Sequence, residues 1–176
     1  VNVARRVTLK ATVQSSGQPQ DDPSRANNAA EIPLDPRGGD AIVIVGGSDA
    51  ASNTAGFGDW ITWPVTVSAS SDGADLSGLF VDFDVPVAPT VSREVTLAGA
   101  SCTDASPTRR TCLVGNLAAG QSRMGTLRVR AEAGGGLAGN VTFGLRVAAD
   151  HSESDADPSN DVARFEGTWR GHDARP

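Results

Sequence analysis

The run Asp59-Trp60-Ile61-Thr62-Trp63-Pro64-Val65-Thr66-Val67-Ser68 decides the fold class, because its side chains alternate in character. Ile61, Trp63, Val65 and Val67 fall on one face and Thr62, Thr66 and Ser68 on the other, the period of two that marks a strand with one buried face. Trp63 is the bulkiest side chain on the apolar face, and truncating a buried Trp costs ~3–5 kcal/mol. Ile61, Trp63, Val65 and Val67 are therefore the expected centre of a core. A strand buried on one face needs others to cover it.

The flanking sequence supplies them. Ala41-Ile42-Val43-Ile44-Val45 is continuously apolar, and Leu79, Val81, Phe83 and Val85 alternate with polar neighbours before the breakers Pro86 and Pro89. Further strands are expected over residues 91–97, around 111–113, over 124–129, at Val141, Phe143, Leu145 and Val147, and over 162–169 with Val162, Phe165 and Trp169. With Gly 20 and Pro 10 in the chain, and no apolar period of 3.6 sustained over three turns, the class is all-β. About seven strands separated by turn signals give an antiparallel β-sandwich of two sheets. Pro64 is expected to interrupt its strand.

Upstream, Val7, Leu9, Ala11 and Val13 alternate as a strand, a polar segment over residues 14–28 reads as a loop, and residues 29–34 as a return strand. Asp35-Pro36-Arg37-Gly38-Gly39-Asp40 breaks regular structure. The division is thus a hairpin over residues 1–34, a linker over 35–40, the sandwich over 41–170 and a tail over 171–176.

The 176 residues carry a net charge of −6 and a pI near 4.8, with Lys10 as the single lysine. Nucleic-acid binding needs clustered Lys and Arg, so it is not expected. No apolar run approaches the ~20 residues of a membrane helix, and membrane insertion is not expected either. His151 and His172 are the only histidines, and no Ser or Cys sits in a Gly-X-Ser-X-Gly context, so no catalytic residue is assigned and the chain reads as non-enzymatic. His151 reads as a solvated loop residue. An isopeptide cross-link needs a lysine in the sandwich, which has none.

Cys102 and Cys112 are separated by a polar, turn-forming segment, a spacing that fits a disulfide across neighbouring strands, with two independent thiols as the alternative. Neither has a second Cys or a His at metal-ligand spacing. A disulfide implies an oxidising, extracellular compartment. Asp150, Glu153, Asp155, Asp157 and Asp161 crowd one loop with Asn160. Oxygen-rich loops bind Ca²⁺, though no EF-hand spacing is present, and a solvated turn in which Asp and Asn cap backbone donors explains the same residues. No other cofactor is expected.

An internal repeat is the most specific feature. Val7-Thr8-Leu9-Lys10-Ala11-Thr12-Val13 parallels Val141-Thr142-Phe143-Gly144-Leu145-Arg146-Val147 at an offset of 141 − 7 = 134. Asp22-Pro23-Ser24 parallels Asp157-Pro158-Ser159, and Asn27-Asn28-Ala29-Ala30 parallels Asn160-Asp161-Val162-Ala163. The pattern reads as the last hairpin of one repeat followed by a whole one.

With Gly58-Asp59 opening the Trp strand, Ser71-Asp72-Gly73-Ala74 after it, Cys102 and Cys112 around a hairpin, Gly115-Asn116-Leu117-Ala118-Ala119-Gly120, and Asp157-Pro158-Ser159-Asn160-Asp161, the chain resembles the bacterial surface repeat family called domain of unknown function eleven. The resemblance covers residues 41–170 in full and 1–34 in part. It implies an Ig-like sandwich strung in tandem in secreted or wall-attached proteins, hence a structural module of a stalk, matrix or filament. The expected partners are neighbouring copies or adjacent repeats, met by strand addition at the first hairpin, unless that hairpin docks on its own domain. A second reading is an adhesin-like module whose loop over residues 46–58 binds a glycan or protein, with Phe57 and Trp60 as its aromatic candidates.

Overall fold

The computed structural model describes residues 38–49, 53–85, 91–132, 139–152 and 155–171, and the backbone of 7–12 and 29–34. The polar segment over 14–28, Glu153, His172 and the rest of the tail lie outside the described residues. Two compact units divide the chain, Val1–Arg37 and Gly38–Pro176.

In the first unit, β1 (Val7–Thr12) and β2 (Ala29–Leu34) form a two-stranded antiparallel sheet, with Val7 opposite Leu34 and Thr12 opposite Ala29.

The second unit is an Ig-like β-sandwich. One sheet runs in the order β3 (Ala41–Val45), β5 (Trp60–Ala69), β10 (Ser122–Ala131), β7 (Val91–Leu97). The other runs β4 (Thr54–Gly56), β12 (Val162–Arg170), β11 (Val141–Asp150), β6 (Leu76–Asp84), β9 (Arg109–Leu117), β8 (Ser101–Ser106). Strands β3, β5, β10 and β7 facing β12, β11 and β6 reproduce the four-on-three arrangement of the immunoglobulin fold, all of these neighbours antiparallel.

The described strands of the sandwich add β4 and β8 to those expected. β4 is three residues long and pairs in parallel with β12, so the second sheet is not wholly antiparallel. β8 is a polar edge strand with no apolar alternation to announce it, and β9 extends well beyond the expected residues 111–113.

β5 carries the core. Ile61, Trp63, Val65 and Val67 are each no more than 1% exposed. Trp63 crosses the interlayer to Phe143 at a ring-centroid distance of 6.3 Å and Phe165 at 5.4 Å, on the opposite sheet. Phe143 in turn stacks on Trp169 at 3.8 Å and lies over Gly167, where a Cβ would stand 2.4 Å from its ring. Gly167 is thus the space that the aromatic stack fills.

Contrary to expectation, Pro64 does not interrupt β5, which continues through it to Ala69. Its carbonyl accepts from Gly46 N–H at 2.9 Å, one residue past the end of β3. A strand residue presents its N–H and C=O to the same neighbour, so the donor that proline lacks falls where β3 has ended.

Residues 38–40 belong to the second unit rather than to a linker. Gly39 bridges both Ala74 and Asp155, Ala74 N–H donates to the Gly38 carbonyl at 3.1 Å, and Ser70 N–H to that of Asp40 at 2.9 Å. The sequence repeat reappears as the two antiparallel hairpins β1–β2 and β11–β12. Ala30 pairs with Ala11, whereas its counterpart Ala163 pairs with Val147, which matches Val13; the 13 − 11 = 2 residue slip keeps the same face of the strand.

Candidate functional site: the acidic end of the sandwich

One end of the sandwich gathers carboxylates from three parts of the chain. Asp150 closes β11, opposite Phe80 on β6. Just beyond it, Ser152 donates from N–H at 3.1 Å and from Oγ at 2.9 Å to the Ser77 carbonyl, beside a bulge at Gly78, whose φ of 61° suits glycine. The loop is stapled next to the lead-in segment, where Ala156 N–H donates to the Gly39 carbonyl at 2.8 Å. It is tied down again before β12, where Val43 N–H donates to the Asn160 carbonyl at 3.0 Å and Ala149 N–H to that of Asp161 at 2.9 Å. Backbone pairing therefore brings Asp40, Asp150, Asp155 and Asp161 to one place.

Within this cluster one carboxylate oxygen each of Asp155 and Asp161 and one ring nitrogen of His151 lie within 4.8 Å of one another. Asp161 is only 8% exposed, and its Oδ1 and that of Asp40 are both shut off from solvent with no donor among the described residues. Burial, then a hydrogen bond shared with Asp155, then the negative charges of Asp155, Asp40 and Asp150, push the Asp161 carboxyl up to about 8. Burial and its acidic neighbours thus favour the protonated form of the Asp161 carboxyl.

The five acidic residues named from the sequence divide. Asp155 and Asp161 are together, and Asp150 contributes charge while its Oδ1 accepts from His151 N–H at 2.8 Å. Asp157 stands apart as a turn cap: its Oδ1 accepts from Ser159 N–H at 3.1 Å and Ser159 Oγ at 2.6 Å, which hold its carboxyl below the ordinary value. Glu153 lies outside the described residues. Sequence reading missed Asp40, which had been placed in the linker. It also took His151 for a solvated residue, whereas the ring is half-buried against the two carboxylates.

The other candidate features sit elsewhere. Cys102 and Cys112 are directly opposite on β8 and β9 and form a disulfide, so no described cysteine is a free thiol. Trp60 lies on the outer face of β5 with the guanidinium groups of Arg128 and Arg130 at 4.6 and 4.7 Å from its ring centroid. Phe57 packs against the core. Neither aromatic forms an open platform for a sugar ring. Among the described residues no helix is long and apolar enough to cross a membrane.

No protein-family model and no curated protein sequence matches the chain. Its backbone is similar to the CARDB domain of a Pyrococcus furiosus protein, at 14% identity and a TM-score of 0.49, over 75% of this chain and 95% of that one. It is similar to a cohesin module from a Clostridium perfringens family 33 glycoside hydrolase, at 11% and 0.47, over 77% and 99%. It is also similar to the major pilin SpaD of Corynebacterium diphtheriae, at 11% and 0.45, over 75% of this chain and 33% of the pilin. The likeness is one of fold.

Proposed function

We propose that this chain is a non-enzymatic structural module of an extracellular or cell-surface bacterial protein, a member of the tandem repeat family that its sequence resembles. The observation that carries the reading is the pairing of a complete Ig-like sandwich with a second copy of its last hairpin, held as a two-stranded sheet. A lone hairpin buries too little apolar surface to be stable in water, so β1–β2 needs a sheet edge or further strands to complete it. Those come from an adjacent repeat or a neighbouring copy, by strand addition, and the outcome is a stalk or filament. The disulfide supports an oxidising compartment. Calcium is proposed as the ion of the acidic loop. The alternative, a loop that grips a glycan, is weakened by the arginines over Trp60.

Sedimentation velocity over a wide concentration range tests the assembly. The whole chain is expected to self-associate, and residues 38–176, which hold the complete core, to stay monomeric. A whole chain that is monomeric at high concentration refutes strand addition between copies.

A further inference from the structure

Strand β11 is paired unevenly. β12 runs beside residues 141–148, whereas β6 pairs only with residues 146–150, so among the described residues the stretch 141–145 has no neighbour on the β6 side. Ala149 N–H donates toward β12, and alternation along an antiparallel strand then turns the N–H and C=O of Gly144 to the open side. After Val85 the sequence continues with Pro86, which has no N–H to offer, so the next residue of the chain cannot supply that donor. Over Gly144 nothing stands within 4 Å of a Cβ, and a trough of about 650 Å³ crosses the strand there, from Val85 at the end of β6 to Glu166 on β12. That volume is in the range of ligand sites.

Charge is as uneven as the pairing. Arg146 and Arg164 line the trough and stand directly opposite each other on β11 and β12, and like charges so placed repel. Asp84 accepts from Arg146 at 2.9 Å and from Arg109 at 2.7 Å, and Asp82 stands 3.5 Å from Arg109. The acids of this row thus gather at the end away from Arg164, which has no ion pair among the described residues. We propose that the trough is a docking site for an extended peptide segment, added antiparallel along residues 141–145 of β11, whose acidic side chain opposite Gly144 passes over that bare glycine to Arg146 and Arg164. Backbone bonds to Gly144 supply affinity, and the two guanidinium groups select the acid. Glu166, opposite Gly144 on the other side, and the net charge of −6 disfavour a polyanion, so the segment carries one acidic position rather than a run. The site lies wholly on the sandwich and does not depend on the first hairpin or on self-association.

The probe is a fluorescein-labelled peptide, Thr-Val-Thr-Glu-Thr-Val-Thr, compared with versions that carry Gln or Lys at the centre and with one N-methylated at the central Glu. Titration of the whole chain, followed by fluorescence anisotropy, is expected to show saturable binding of the Glu probe with a Kd below about 1 mM. The Lys probe is expected to bind about tenfold or more weakly, because it meets two arginines. N-methylation removes the N–H that the Gly144 carbonyl would accept and is expected to weaken binding about tenfold. Arg164→Gln is expected to weaken the Glu probe about fivefold or more and to leave the Gln probe within about twofold. Gly144→Val has open space for its side chain, so it is expected to keep the wild-type Tm and to lose every probe. A Glu probe that does not saturate up to about 1 mM overturns the site. Equal binding of the Glu and Lys probes overturns the choice of an acidic segment, and equal binding of the N-methylated probe overturns strand addition. Binding that survives Gly144→Val in a folded protein puts the peptide elsewhere and overturns the assignment to this trough.

Discussion

Trp63 is the sharpest test of the packing. It is 1% exposed, meets Phe143 and Phe165 of the opposite sheet, and carries a buried indole N–H with no acceptor among the described residues. Truncation to Ala removes the largest bridge between the sheets and leaves a cavity, for an expected loss of ~3–5 kcal/mol, two aromatic contacts of ~0.5–1.5 kcal/mol each included. Trp63→Phe behaves differently. It sheds volume but also removes a donor whose unmet desolvation costs about 1–3 kcal/mol, so the net loss is expected to stay below about 1.5 kcal/mol. Urea unfolding followed by circular dichroism gives both values, provided the denaturant slope matches the wild type. If Phe proves as damaging as Ala, the indole N–H has a partner and the account of this site is wrong. If Ala costs less than about 1.5 kcal/mol, Trp63 does not bridge the sheets.

The remaining expectations follow from single contacts. Native protein alkylated without reductant should show no labelled cysteine by intact mass, and the Cys102→Ser, Cys112→Ser double variant should lose roughly 2–3 kcal/mol, with amide exchange accelerated first in β8. At Gly125 a Cβ would stand 1.9 Å from the Thr96 carbonyl oxygen, so Gly125→Ala should cost more than ~2 kcal/mol by forcing β7 from β10. Gly144→Ala, with nothing within 4 Å of its Cβ, should stay within about 0.5 kcal/mol of the wild type. Partial burial alone would raise the Asp84 carboxyl, but the hydrogen bonds and charges of Arg109 and Arg146 outweigh it and hold the carboxyl below 3.8, its value when unfolded. Its stabilisation is therefore complete above pH 3.8 and drains away as pH falls below that value through the folded one, so Asp84→Asn should flatten this part of the acid limb in melts taken across it.

The sandwich was legible because burial on one face writes itself into a period of two. The strands that carry most of the core, β3, β5, β6 and β11, show that alternation or an apolar run. The strands that escaped are those whose formation does not depend on apolar burial. β8 has no fully buried residue and is held to β9 by ladder hydrogen bonds and the disulfide. β4 is too short for a period to appear. Pro64 misled for a related reason: its penalty depends on whether a neighbour awaits its missing N–H, and that is a property of where β3 ends, not of β5.

The acidic site was half legible, and the missing half is the informative one. Composition marked the loop, but Asp155 and Asp157 each cap the N–H two residues on and part only when the fold is known, since Asp155 alone also lies beside Asp161 and His151. Gly39, more than a hundred residues earlier in the chain, bridges Asp155 and so sets the charge of Asp40 near Asp161, and no local pattern encodes a pairing of that range. Breaker residues such as Gly38 and Gly39 read as a linker because they have no side chain to bury. In the structure Gly39 bridges both Ala74 and Asp155, so the residues that read as a boundary tie the start of the sandwich to the acidic loop.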